Sequence, residues 1–243
     1  AFHGRKVLVC VCGGIAAYKS ATVVSRLVQA GGEVTVAMTE AATRFIAPLT
    51  FQALSGRPVF TSQWDQFDHA DPQHVRMAEG LDAALVAPCT MNTLARLAAG
   101  FTDDAVTTAL SAIDRDRVPV LLAPSMNAEM WSQPATRRNL DVLSNDGFTL
   151  IEPASGWQAC RRVGSGRLPE PEALIAALAA LGLLTACNEA PKHQIVFTHE
   201  DTCKIIINDL QYGQANETER HCVREPASGA TKAVTVNFLS ETC

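Results

Sequence analysis

The chain has 243 residues, 47% of them hydrophobic, with 20 basic against 25 acidic side chains and a formal net charge of -5. That length suits one or two domains with a substantial core, and the acidic balance excludes a basic footprint for nucleic acid or an anionic membrane surface. The longest strongly apolar stretch, residues 173–184, is too short to span a bilayer, and the first six residues lead into a strand without a signal-peptide pattern. Cys10, Cys12, Cys89 and Cys160 are scattered through an α/β pattern and read as reduced thiols of a cytoplasmic protein.

In chain order, residues 6–12 are nearly all apolar and β-branched, the pattern of a strand buried on both faces and hence of a parallel sheet. Gly13-Gly14 ends it, and residues 15–30 form an amphipathic helix stopped by Gly31-Gly32. Residues 33–38 alternate as a second strand, completing one βαβ unit. Residues 41–54 are helical, broken at Pro48, and residues 64–72 read as a polar, aromatic surface loop. The alternation continues with strands at 82–87, 118–123 and 148–151 and helices at 90–99, 103–113, 133–145 and 169–184. The predicted fold is therefore a doubly wound parallel α/β sheet over residues 1–185.

Four loops carry polar groups to where such a sheet binds ligands, the carboxyl ends of its strands. Gly13-Gly14-Ile15 lacks the third glycine of a dinucleotide fingerprint, and no acid closes the second strand at Met38-Thr39. The turn suits a mononucleotide phosphate at a helix N-terminus, or is simply a tight turn. Thr90, Met91, Asn92 and Thr93 follow a strand and open a helix. Pro124-Ser125-Met126-Asn127 delivers an amide beside Met130 and Trp131; on spacing alone, Asn127 serves equally as a helix cap and the Met and Trp as core. Between residues 156 and 167, three glycines surround Ala159-Cys160 and the stretch ends in Arg167, which describes a loop able to close over a ligand or an ordinary surface loop.

As an ordered set over residues 6–184, these segments resemble the phosphopantothenoylcysteine decarboxylases, members of the flavin-containing cysteine decarboxylases. Pro124-x-Met126-Asn127-x-x-Met130-Trp131 matches the family's signature, and Gly13 to Lys19 its first turn. Thr39-x-x-Ala42-x-x-Phe45 is similar to its second phosphate-side element, and Pro88, Asn92 and Thr93 keep its flavin-side motif with Cys89, Thr90 and Met91 in the variable places. Ala159-Cys160 and Gly164-x-Gly166-Arg167 resemble its substrate clamp, except that Arg161 stands where the family has glycine.

The resemblance implies a flavodoxin-like, Rossmann-like three-layer sandwich that binds FMN through Gly13, Gly14, Ile15, Thr39, Ala42, Phe45, Thr90, Met91, Asn92, Thr93 and Ser125. It places phosphopantothenoylcysteine against Asn127, Met130, Ala159, Gly166 and Arg167, with His74, Asn127 and Cys160 catalytic and no metal. In this chemistry FMN oxidises the substrate thiol to a thioaldehyde, which gives the electrons of the departing CO2 a sink. Cys160 would then supply the proton that makes the product saturated, 4'-phosphopantetheine in coenzyme A biosynthesis. The resemblance also implies a homotrimer or multiple of trimers, with His74 of one subunit facing Asn127 of another. A peptidyl-cysteine decarboxylase and a catalytically silent flavin-binding regulatory protein remain alternatives.

The resemblance ends at Leu184. In many bacteria a ligase is fused at this point, but its glycine- and threonine-rich opening strand is not found. Residues 186–243 contain candidate strands at 194–198, 204–207 and 233–238, and Cys187, Cys203, Cys222 and Cys243 lack the close pairs of a zinc site. This extension reads as a small β-rich appendage, an oligomer contact or a poorly ordered segment.

Overall fold

The computed structural model describes residues 2–64 and 73–186, with side chains to residue 181, and in the tail the backbone of residues 194–197, 202–208 and 215–221. The chain divides into two compact units, residues 1–186 and 187–243.

The first unit is built on a six-stranded parallel sheet in the order β3-β2-β1-β4-β5-β6. Its strands are β1 (Lys6–Val11), β2 (Glu33–Met38), β3 (Val59–Phe60), β4 (Ala83–Cys89), β5 (Val120–Pro124) and β6 (Thr149–Leu150). The continuous apolar run of β1 is explained by its two buried faces. Val7, Val9 and Val11 enter one core with Val23, Val24 and Leu27 of α1 (Ala17–Gln29), Phe51 of α3 (Pro48–Ser55) and Leu174 and Leu178 of α9 (Pro171–Ala186). Leu8, Cys10 and Cys12 enter the other with Leu94 of α5 (Met91–Ala98), Leu110 of α6 (Ala105–Ser111) and Leu140 and Leu143 of α8 (Pro134–Asn145). This period-2 division of one strand between two helix layers makes the three-layer sandwich. Each fully buried Leu or Val contributes about 1.5–3 kcal/mol by leaving water.

The strand order reverses between β1 and β4, so the loops after these two strands diverge and leave a crevice at their carboxyl ends. The fold therefore sets the place of the site before any side chain is considered.

Several elements depart from the sequence reading. The broken helix at 41–54 is two helices, α2 (Glu40–Thr43) and α3, and Pro48 starts the second because a first-turn residue needs no N–H donor. Short elements below the reach of periodicity also appear: β3, α4 (Gln73–Ala78) and α7 (Ala128–Ser132). The glycine-rich loop of 156–167 is instead an antiparallel hairpin of β7 (Ala154–Trp157) and β8 (Val163–Arg167). Of the predicted loop at 64–72, all but Trp64 lies outside the described residues.

In the second unit, β9 (Gln194–Phe197), β10 (Thr202–Asn208) and β11 (Ala215–His221) form an antiparallel sheet in the order β11-β10-β9. The predicted strand at 233–238 lies outside the described residues. β11 was not expected because Ala-Asn-Glu-Thr-Glu-Arg-His has no apolar alternation.

Candidate active site

A cavity of about 980 Å³ occupies the switch-point crevice. Gly13, Gly14, Ile15 and Thr39 line one side, Thr90, Met91, Asn92 and Thr93 another, and Ser125, Asn127, Met130, Ala159, Cys160, Gly166 and Arg167 a third.

The first side is a cradle of backbone. A Cβ on Gly13 would stand 2.5 Å from the Cβ of Ala41, so only glycine lets the turn pass α2. At Gly14 the nearest atom to such a Cβ is 3.9 Å away, which leaves the peptide open to the cavity. The N-cap of α1, Ala16, makes no side-chain capping bond, and the positive dipole end of this 13-residue helix lies at the cavity; Ala17 N and Lys19 N donate to Gly14 O and Ala16 O at 3.0 Å. This arrangement fits an anion such as a phosphate. Thr39 is occupied in capping α2, its Oγ1 accepting from Ala42 N at 3.2 Å. Ala42 is buried in the core and Phe45 is exposed; neither lines the cavity.

On the second side, Thr90 caps α5: its Oγ1 accepts from Thr93 N at 3.3 Å and lies 3.1 Å from Thr93 Oγ1. Beneath them Cys12 is fully buried, and desolvation pushes its thiol up to about 12, partly offset by hydrogen bonds from the Thr93 side chain and the Thr90 backbone. Burial likewise raises Cys10 and Cys89. These three thiols are neutral packing groups, whereas Cys160 is exposed at the cavity. Among the described residues no group of three or more His, Cys, Asp or Glu could hold a metal ion.

The third side joins Asn127 to the hairpin. Asn127 caps α7, its Oδ1 accepting from Met130 N at 2.8 Å. That bond fixes which end of the amide is oxygen, so the NH2 end is the part left to address the cavity. The cap reading and the ligand reading are thus compatible. Met126 and Met130 line the cavity, but Trp131 is buried beneath Arg137, whose guanidinium lies 4.6 Å from the ring centroid. The hairpin glycines serve close approach: a Cβ on Gly166, at φ +117, would come 2.3 Å from Met126 O, and one on Gly164 2.7 Å from the Cβ of Ala128. Met126 N also donates to Gly166 O at 2.9 Å. Arg161 holds φ +65, a left-handed conformation that glycine adopts without the steric cost a side chain brings.

His74 is half-buried on α4 and does not line the cavity of its own chain. Lys19 and Gln158 are among the lining residues given no role from sequence. Lys19 is buried, its Nζ donating to Leu168 O at 3.0 Å and Glu170 Oε1 at 2.8 Å, which ties α1 to the end of β8. Gln158 is buried between the hairpin and the Asn127 loop. Lys19's partners and two of Gln158's, Met126 and Ala128, lie far away in sequence, so local pattern carried no signal.

A doubly wound sheet whose switch-point crevice combines a backbone anion cradle with hydroxyl and amide groups defines a mononucleotide-binding protein. The chain belongs to the flavoprotein family, whose model matches residues 2–182. It is 47% identical over 173 residues to the coenzyme A biosynthesis bifunctional protein CoaBC of Bacillus subtilis (strain 168), a match covering 71% of this chain and 42% of that protein. The chain thus spans less than half the length of this relative. Among solved structures, a cysteine-to-serine mutant of PPC decarboxylase complexed with pantothenoylaminoethenethiol matches with TM-score 0.64 and 27% identity, covering 72% of this chain and 97% of that one. The FMN-dependent cysteine decarboxylase SpaF matches with TM-score 0.65 and 28% identity, covering 76% and 99%.

Proposed function

We propose that residues 1–185 form an FMN-dependent carboxy-lyase that converts 4'-phosphopantothenoylcysteine to 4'-phosphopantetheine in coenzyme A biosynthesis. The observation that supports this reading is that Asn127, Cys160 and the Gly13-Gly14 cradle all line one cavity. The relatives support it: CoaBC by its name acts in coenzyme A biosynthesis, and a related PPC decarboxylase holds an aminoethenethiol.

FMN fits the residues present. The cradle at the start of α1 would take its phosphate, and Thr90 to Thr93 with Ser125 would face its ring. When bound, FMN supplies the two-electron oxidation and reduction that no side chain here can perform. Asn127 holds the substrate carboxylate through its NH2 end. A neutral donor orients the group without a salt bridge that would over-stabilise the charge lost as CO2. Met130 and Ala159 supply apolar contact, and Gly166 and Arg167 close the wall. Cys160 gives its thiol proton to the unsaturated aminothiol, and solvent returns a proton to it. The protein purified with FMN should be yellow and should release CO2 and 4'-phosphopantetheine from this substrate. Failure to bind FMN, or turnover of peptides ending in cysteine in its place, overturns the reading.

His74 belongs in this scheme as the group managing the proton of thiol oxidation, but from a neighbouring subunit. Its absence from the cavity of its own chain supports a shared site in a homotrimer or a multiple of trimers. Ile15, Tyr18, Phe45 and Leu49 are apolar side chains exposed on or near the cradle, in keeping with contact between copies. Mixing inactive His74→Asn and Asn127→Asp proteins should restore part of the activity by re-forming intact shared sites. Light scattering that finds a fully active monomer removes this assembly. Among the described residues, the four free thiols suit the reducing cytoplasm, and no helix is long and apolar enough to cross a membrane.

A further inference from the structure

Gln158 sits at the base of the hairpin tip, 7% exposed, with its side chain turned inward. An amide offers two donors and an acceptor with two lone pairs. Here all four are engaged. Nε2 donates to Ser165 O at 2.9 Å and to Met126 O at 3.3 Å. Oε1 accepts from Ala128 N at 3.2 Å and from Cys160 Sγ at 3.6 Å. The backbone at Gln158 closes the tip, its N–H donating to Arg162 O at 2.8 Å and its carbonyl accepting from Arg161 N at 2.9 Å.

These partners fall into two groups that the substrate must meet together. Met126 and Ala128 flank Asn127, while Ser165 and Cys160 belong to the hairpin. We propose that Gln158 is a positioning residue that fixes the hairpin thiol and the Asn127 amide in one register, so that the carboxylate end and the proton donor face the same substrate. The idea rests on the roles given above to Asn127 and Cys160.

The chemistry of the four contacts makes the glutamine specific. Glutamate has the same shape but, when ionised, has only acceptors. It would set a carboxylate oxygen against Met126 O and Ser165 O, two acceptors, in a buried place. Alanine removes all four bonds and leaves the peptide groups of the Asn127 loop to find water. Gly164 and Gly166 still permit close approach in both variants, and the bond from Met126 N to Gly166 O and the exposed Arg162–Glu129 ion pair at 3.9 Å remain, but no buried side chain then ties the hairpin to the Asn127 loop through hydrogen bonds of its own.

The test uses the full chain with FMN, in wild-type, Gln158→Ala and Gln158→Glu forms. The first readout needs no activity. The exposed Arg161-Arg162 pair at the hairpin tip is a trypsin site, and cutting it requires the hairpin to lift. Both variants should be cut there roughly fivefold to thirtyfold faster than wild type, the factor expected from losing one or two net hydrogen bonds. The second readout is the product. Both variants should raise KM and release a larger share of unsaturated aminothiol, because the thiol no longer stands over the intermediate. Should the alanine protein fail to fold, the isosteric glutamate variant carries the test. Wild-type cleavage in both variants overturns the proposal, as does faster cleavage with an unchanged product ratio, which would make Gln158 a fastener only. If wild-type protein releases no CO2 from the substrate, the functional reading falls, and the cleavage rates still decide whether Gln158 holds the hairpin.

Discussion

Asn127→Asp should leave a folded, yellow protein that binds its substrate more weakly. The structure shows one job of this side chain, the cap, and the proposed function gives it a second at the other end of the amide. Its Oδ1 accepts from Met130 N, and an aspartate oxygen does that equally well, since Asp and Asn are comparable N-caps. The NH2 end is different: the substitution replaces a donor to a carboxylate by a second carboxylate. Two such charges about 4 Å apart repel by ~1 kcal/mol in bulk water and ~4 kcal/mol at the effective dielectric of a protein surface. At ~1.4 kcal/mol per factor of ten, KM should rise between about fivefold and a thousandfold. Asn127→Ala makes the contrast. It loses the cap, about 1 kcal/mol of stability, but introduces no charge, so its KM should rise less than that of the aspartate protein. Substrate titration of both variants measures this. A lower KM for Asn127→Asp than for Asn127→Ala would remove the carboxylate from Asn127.

The sheet and the position of its ligand crevice were legible in the sequence because both are written locally. Residues 6–12 carry apolar groups at odd and even positions alike, and Val7 and Leu8 do enter opposite cores. Gly13-Gly14, Thr90 to Thr93 and Ser125 to Asn127 each follow such a run, and all of them line the cavity. The hairpin was hidden for a physical reason. A glycine that allows motion and a glycine that allows contact are the same residue, and only the structure shows that a Cβ at 166 would strike Met126 O. Lys19 and Gln158 were hidden for another. Lys19 meets Leu168 and Glu170, and Gln158 meets Met126 and Ala128, across more than a hundred residues in the first case and about thirty in the second. No local periodicity records such partners. Arg161 was visible as a departure from the family, and its φ of +65 gives the departure a meaning: glycine is the residue that this turn accepts most easily.

Cys160→Ser should turn the enzyme from a maker of saturated aminothiol into a maker of the unsaturated one. Oxidation of the substrate thiol and loss of CO2 come before the step assigned to Cys160, so CO2 should still appear in the first turnover. Geometry is nearly preserved, because a serine hydroxyl can donate to Gln158 Oε1 as the thiol does. What changes is acidity. An ordinary cysteine thiol has a pKa of about 8.5, and an aliphatic hydroxyl is a far weaker acid. Loss of a positioned acid costs roughly a hundredfold to ten-thousandfold in the step it serves. Saturated product should therefore fall by about that factor while binding of FMN and substrate is unchanged. The buried thiols cannot substitute: Cys10, Cys12 and Cys89 are all at 0% exposure, and burial raises the pKa of each, which makes it a weaker acid. Mass spectrometry of the released aminothiol decides the matter, since the two products differ by two hydrogens. Saturated product at the wild-type rate would take Cys160 out of the reaction and leave the reduction to a proton from another source.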